Sequence, residues 1–176
     1  MRVFGVTGWK NSGKTTLVER LVTEITGRGL SVSTVKHAHR NFDVDQPGRD
    51  SHRHREAGAR QVIISSPRRW ALMTENRGAP EATLAELLAR LDPVDLVLVE
   101  GYKRDSHPKI ECRRRASSGE PIAPDDPSIK AIATDMPGPA DTPPGHRTLP
   151  VFDLDDISGI ADFILERAGA MTGGGG

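Results

Sequence analysis

Apolar residues along the chain follow two rhythms. Short runs such as Val3-Phe4-Gly5-Val6 carry the signature of strands, and Val94 to Val99, broken only at Asp95, is apolar enough to be a central parallel strand buried on both faces. Elsewhere the apolar positions return every three or four residues. Leu17, Leu21 and Ile25 with Val18 and Val22, then Leu84, Leu87, Leu88 and Leu91, then Ile157, Ile160, Ala161 and Ile164, each trace one face of a helix. The pattern predicts strands over 2–7, 31–36, 61–65, 70–74, 94–99, 109–113 and 129–134. It predicts helices over 14–27, 50–57, 81–91 and 156–167. This alternation is that of a mostly parallel sheet with helices on both faces, an α/β fold. Residues 116–128 and 136–148, rich in Pro, Gly, Ser and Asp, read as loops. A length of 176 residues suggests one domain, over 1–168, followed by a disordered Gly-rich tail over 169–176.

Between the first strand and the first helix stands GWKNSGKTT, residues 8–16. Gly8, four residues, then Gly13-Lys14-Thr15 is the spacing of a P-loop, which wraps polyphosphate in backbone N–H groups. Gly8 and Gly13 permit backbone angles and close approach that a Cβ forbids, and Asn11 and Ser12 complete the loop between them. The helix that follows turns its positive end toward the anion. Lys14 supplies a point charge to the outer phosphates and to the charge that develops in their transfer. The Thr15 hydroxyl is placed for Mg2+, and Thr16 completes the phosphate cradle. The fold expected is therefore of the P-loop NTPase type.

The carboxyl ends of parallel strands are where such sheets bind ligands, so Glu100, at the end of the Val94–Val99 run, is expected near the phosphates. There it holds Mg2+ through water or positions an attacking water. The segment after the second strand is dense in His, Asp and Arg. From it Asp43, Asp45 or Asp50 can serve the metal shell, and Arg49, Arg53 and Arg55 can hold an anion or form a solvated face. His37, His39, His52 and His54 raise a transition-metal reading, although the carboxylates already suit a magnesium nucleotide. With 24 basic and 24 acidic residues, nothing favours general attraction to nucleic acid or a membrane surface. A single cysteine, Cys112, excludes an internal disulfide framework, and no 18-residue apolar run or signal peptide is present, so a cytoplasmic protein is expected.

These motifs together resemble the molybdopterin-guanine dinucleotide biosynthesis protein B (MobB) family. The resemblance is carried by the P-loop, by Lys36-His37-Ala38-His39, by Phe42-Asp43-Val44-Asp45 and by Pro47-Gly48-Arg49-Asp50-Ser51. Arg53 to Ala59, Glu100-Gly101-Tyr102-Lys103 and Pro108-Lys109-Ile110-Glu111 extend it over residues 2 to about 165. It implies a dimeric GTP-binding protein with weak GTPase activity that assists a MobA-type nucleotidyltransferase, with molybdopterin itself a candidate ligand. Carried onto this chain, Gly13, Lys14, Thr15 and Thr16 match phosphate and magnesium positions, and Asp45 and Glu100 match acidic positions around the metal. Trp9 stands where related nucleotide-dependent dimers carry an extra lysine. Tyr102 and Cys112 stand where phenylalanine and valine are commoner.

Asp135, just beyond the strand Ile129–Thr134, bears on the choice of base. It either accepts from the N1 and N2 donors of guanine, which adenine lacks, or caps a turn. Two other readings fit the same residues. A P-loop kinase would use the Arg-rich segment at residues 49–60 for its acceptor, and a metal or cofactor carrier would use the histidines.

Overall fold

The computed structural model describes residues 1–38, 42–136 and 149–170. It divides into two compact units, Met1–His37 with Leu84–Gly176, and Ala38–Thr83.

The first unit is built on β1 (Arg2–Thr7), α1 (Lys14–Gly27), β2 (Val32–Lys36), α3 (Leu84–Leu88), β5 (Leu96–Glu100), β6 (Lys109–Arg113), β7 (Ile129–Thr134), β8 (Val151–Asp153), α4 (Ile157–Arg167) and β9 (Gly169–Ala170). Six parallel strands run in the order β2-β5-β1-β6-β7-β8, and β9 adds an antiparallel pair to β1 at Arg2 and Val3. The period-2 alternation of strand side chains sorts the core onto two faces. Phe4, Val6, Leu96 and Leu98 face α1 and α4, whereas Val3, Val97 and Val99 face α3. Helices therefore cover both faces of a mostly parallel sheet, as the alternation of runs predicts. Burial of Leu17, Val18, Leu21 and Ile25 along α1 contributes roughly 8 kcal/mol to holding that helix on the sheet.

The second unit contains α2 (Asp50–Glu56) and the hairpin of β3 (Gln61–Ser65) with β4 (Trp70–Thr74). Arg55 holds it together, bonding Asp43 at 2.9 Å, Glu75 at 2.8 Å and Asp45 at 3.3 Å.

Several predicted elements shift. The strands over 61–65 and 70–74 form, but as a separate antiparallel sheet outside the parallel one. The helix expected over 81–91 spans only Leu84–Leu88, because Arg90 and Leu91 close tighter i→i+3 turns ahead of Pro93. Val151–Asp153, too short to show a rhythm, completes the sheet beside β7, and Gly169–Ala170 pair with β1 where a tail was expected. The loop 116–128 has no helix or strand, yet it is pinned. The buried Glu111 carboxylate accepts the Ile122 and Ala123 N–H groups at 2.9 and 2.8 Å. Of the second predicted loop, residues 137–148 lie outside the described residues.

Opposite the carboxyl ends of the strands, Lys109 is wholly buried. Its ammonium donates to Ser128 Oγ at 2.5 Å and to the Asp105 carbonyl, and pairs with Asp126 at 3.4 Å. His107 lies beside it over β1, so close that a Cβ on Gly5 would stand 2.5 Å from Nε2. This contact explains a glycine in mid-strand, where glycine is otherwise unfavourable. Burial, helped by the Lys109 charge, pushes the His107 pKa down from 6.5 to about 4. Between those values the unfolded chain binds a proton that the native chain does not, so stability falls as pH drops from 6.5 toward 4, by an amount on the order of 3 kcal/mol. Urea unfolding at pH 7 and pH 5 should show about 2 kcal/mol of this loss, and His107→Leu should show a smaller one.

Candidate functional site

The loop Gly8–Gly13 leaves β1 at the point in the sheet where strand order reverses, between β5 and β6. Its backbone turns through φ of +145° at Gly8, +63° at Asn11 and +93° at Gly13. At Gly8 space is limiting as well: a Cβ there would stand 2.5 Å from the Cys112 carbonyl and 2.6 Å from Ser12 Oγ. Gly13 caps α1 without any side-chain hydrogen bond, and the first turn carries no acidic residue. The opening N–H groups of α1 thus project toward the loop uncapped by side chains, the arrangement an anion fits.

Lys14 folds back over this loop. Its ammonium donates to the Trp9 carbonyl at 2.6 Å and reaches Ser12 Oγ at 3.4 Å. Burial lowers its pKa and Lys36 adds to that, while Glu100 works in the other direction. Ser12 is buried within the loop, and Asn11 and Thr16 are exposed.

Glu100 enters through the sheet register, since β5 aligns it with Val6 of β1 and with Lys36 of β2. Its Oε1 accepts from the Thr15 hydroxyl at 2.8 Å and lies 3.3 Å from the Lys36 ammonium. Hydroxyl and carboxylate are hard oxygen donors, the kind that could hold Mg2+. The structure thus brings Lys14, Thr15 and Glu100 together with the glycines of the loop. Asp135 follows β7 directly, two strands along the sheet from β1, which at the usual strand spacing is about 10 Å. It is exposed, and its Oδ1 accepts the Arg115 N–H at 3.1 Å.

Asp45 belongs to the second unit, where its carboxylate is committed to Ser51 at 2.8 Å and to Arg55. Asp43 is likewise paired with Arg55, and Asp50 lies 3.9 Å from Arg53. Among the described residues no group of three or more His, Cys, Asp or Glu side chains is arranged to hold a metal ion, and His39 lies outside them.

Four side chains at the loop were given no role at the outset. Lys36 touches both Thr15 and Glu100. Lys103 places its ammonium 3.6 Å from the centre of the Trp9 ring, and its pKa is lowered by burial and by Lys14. A lysine charge therefore reaches Trp9 from the far end of β5. Trp9 donates from Nε1 to the Glu120 carbonyl at 2.6 Å, and its ring packs on Gly119, so the loop 116–128 is tied to the P-loop. Arg114 lies over Gly13, where a Cβ would meet its Nε at 2.7 Å. The available signal was position: Lys36, Lys103 and Arg114 each stand at or just past the carboxyl end of a strand.

Residues 3–135 match the family model described as molybdopterin guanine dinucleotide synthesis protein B. The chain belongs to the MobB family. This MobB-family chain is 38% identical over 161 residues to the molybdopterin-guanine dinucleotide biosynthesis adapter protein of Escherichia coli K12, covering 90% of this chain and 88% of that one. It is 42% identical over 165 residues to the adapter protein of Haemophilus influenzae, covering 92% and 86%. Its fold superposes on the crystal structure of Bacillus subtilis MobB with a TM-score of 0.74 at 26% identity, over 97% of this chain and 99% of that chain. A P-loop on a sheet of this kind makes it a nucleotide-binding type of protein.

The geometry separates the two loop glycines. Gly8→Ala must displace a backbone carbonyl, whereas Gly13→Ala meets only the flexible Arg114 side chain, although both force an L-residue to positive φ. Gly8→Ala should lower stability by about 3 kcal/mol and Gly13→Ala by about 1–2 kcal/mol, read from urea unfolding.

Proposed function

We propose that this MobB-family chain is a GTP-binding accessory protein of molybdenum cofactor biosynthesis that hydrolyses GTP slowly and assists a MobA-type nucleotidyltransferase. The observation that carries the reading is the Thr15–Glu100 contact beside an uncapped α1 and a folded-back Lys14. Names of relatives in molybdopterin-guanine dinucleotide biosynthesis supply the pathway.

In this reading Gly8, Asn11, Ser12 and Gly13 wrap the phosphates, and Thr16 completes the cradle. Lys14 leaves the Trp9 carbonyl for the outer phosphates, where its charge offsets what builds up as the γ-phosphoryl departs. Thr15 by its hydroxyl and Glu100 by its carboxylate would hold Mg2+; the ion would supply further positive charge. Glu100 also orients the attacking water. Asp45 stays bonded to Ser51 and Arg55 within the second unit. Asp135, anchored through Oδ1, takes the N1 and N2 donors of guanine. A carboxylate left with no donor opposite it disfavours adenine.

The reading includes a homodimer in the cytoplasm. No helix among the described residues is long and apolar enough to cross a membrane. The hairpin supports dimerisation: Ile63 and Leu72 oppose each other on one face beside Trp70, and these side chains are 66%, 38% and 64% exposed. A two-stranded sheet alone is marginal in water, and an apolar face on it calls for cover.

Calorimetric titration with GTP and ATP in Mg2+ tests the nucleotide assignment. GTP should bind in preference to ATP, Asp135→Ala should erase the preference, and Lys14→Ala should weaken both by at least roughly tenfold. Equal binding of GTP by Lys14→Ala would remove the P-loop from the account. For the dimer, light scattering should give twice the chain mass, and Ile63→Glu should give the single mass.

A further inference from the structure

Lys36 ends β2 at the register position of Glu100. Its ammonium lies 3.3 Å from Glu100 Oε1 and 3.2 Å from Thr15 Oγ1, while Thr15 Oγ1 donates to the same carboxylate oxygen at 2.8 Å. The two oxygen groups assigned above to the divalent cation are therefore already in contact with a cation that belongs to the protein. Glu100 and Lys36 differ in freedom. The carboxylate is 11% exposed and fixed in the sheet, whereas the lysine side chain is 57% exposed on a flexible four-carbon stem. A carboxylate so far out of water is costly unless a positive charge stands beside it. An ammonium at the surface supplies that charge and can still leave.

We propose that Lys36 is a cation-exchange lysine, whose ammonium holds the Thr15–Glu100 position in the nucleotide-free protein and yields it to the divalent cation that arrives with nucleotide. The proposal rests on the nucleotide-binding reading above. A divalent ion alone must expel Lys36 from its ion pair and then sit beside the displaced charge. With a nucleotide the exchange becomes favourable, because the polyphosphate adds ligands to the ion and gives the released ammonium a partner. The neighbourhood agrees: the charges of Lys14 and Lys36 both act on the single Glu100 carboxylate until an anion enters. Lys36 thereby couples occupancy of the metal position to occupancy of the phosphate loop.

Mn2+ titration of the nucleotide-free protein, followed by the electron paramagnetic resonance signal of the free ion, tests the exchange. Lys36→Met should bind one Mn2+ roughly three- to tenfold more tightly than the wild type. Adding Glu100→Gln to that variant should abolish the gain, and Lys36→Arg, which keeps the charge, should bind as weakly as the wild type. Unchanged Mn2+ affinity in a Lys36→Met protein that melts at the wild-type temperature overturns the proposal. A second readout is GTP affinity in Mg2+ against that in EDTA. Exchange makes the enhancement by Mg2+ larger in Lys36→Met, whereas a lysine that merely touches phosphate would lower both affinities equally, which also overturns it. The Mn2+ experiment contains no nucleotide, so its failure is distinct from that of the GTP reading, which falls if the wild type binds no GTP.

Discussion

The parallel register of β2, β5 and β1 is the constraint on which the rest depends. It sets Lys36, Glu100 and Val6 side by side at the carboxyl end of the sheet. The loop leaving β1 then swings Thr15 to within 2.8 Å of Glu100. A slip of one residue in β5 would turn Glu100 to the other face and carry its apolar neighbours with it. Because Val97, Leu98 and Val99 are each wholly buried, the packing of both faces resists such a slip. The core thus holds the Glu100 carboxylate in place through contacts that have nothing to do with chemistry.

Around that pair the molecule gathers positive charge on tethers of differing stiffness. Lys14 is folded onto its own loop, Lys36 rests on Glu100, Lys103 rests on the Trp9 ring and Arg114 covers Gly13. Each cation has a resting partner weaker than a polyphosphate: a carbonyl, a single carboxylate, an aromatic face or a backbone turn. Such a cleft is ready for an anion without leaving its charges unpaired beforehand. Trp9 adds a structural link, since its indole N–H joins the P-loop to the loop 116–128, which Glu111 pins just beyond at Ile122 and Ala123. A segment rich in Pro, Gly and Ser is therefore held at two places.

The second unit follows a different plan. Its helix has no buried residue, and its cohesion comes from the guanidinium of Arg55 spread over three carboxylates. One planar group with five donors serves where an apolar core is lacking. Asp43 and Asp45, which by composition alone suit a metal, are the groups this network uses.

Much of this was legible in the linear chain. Apolar periodicity determined α1, α4 and the central strand, because burial on one or both faces leaves a rhythm that needs no knowledge of partners. The P-loop was equally plain, since the positive φ that Gly8 and Gly13 adopt is a local demand. Partnership was not. Whether β3 and β4 join the main sheet and whether Val151–Asp153 forms an edge strand depend on groups distant in sequence. The same is true of Lys36, 64 residues from Glu100 by number and 3.3 Å by position. A local rule reads steric and hydrophobic requirements of one segment, but charge pairing is decided by which strand ends the sheet brings together, and only the tertiary structure decides that.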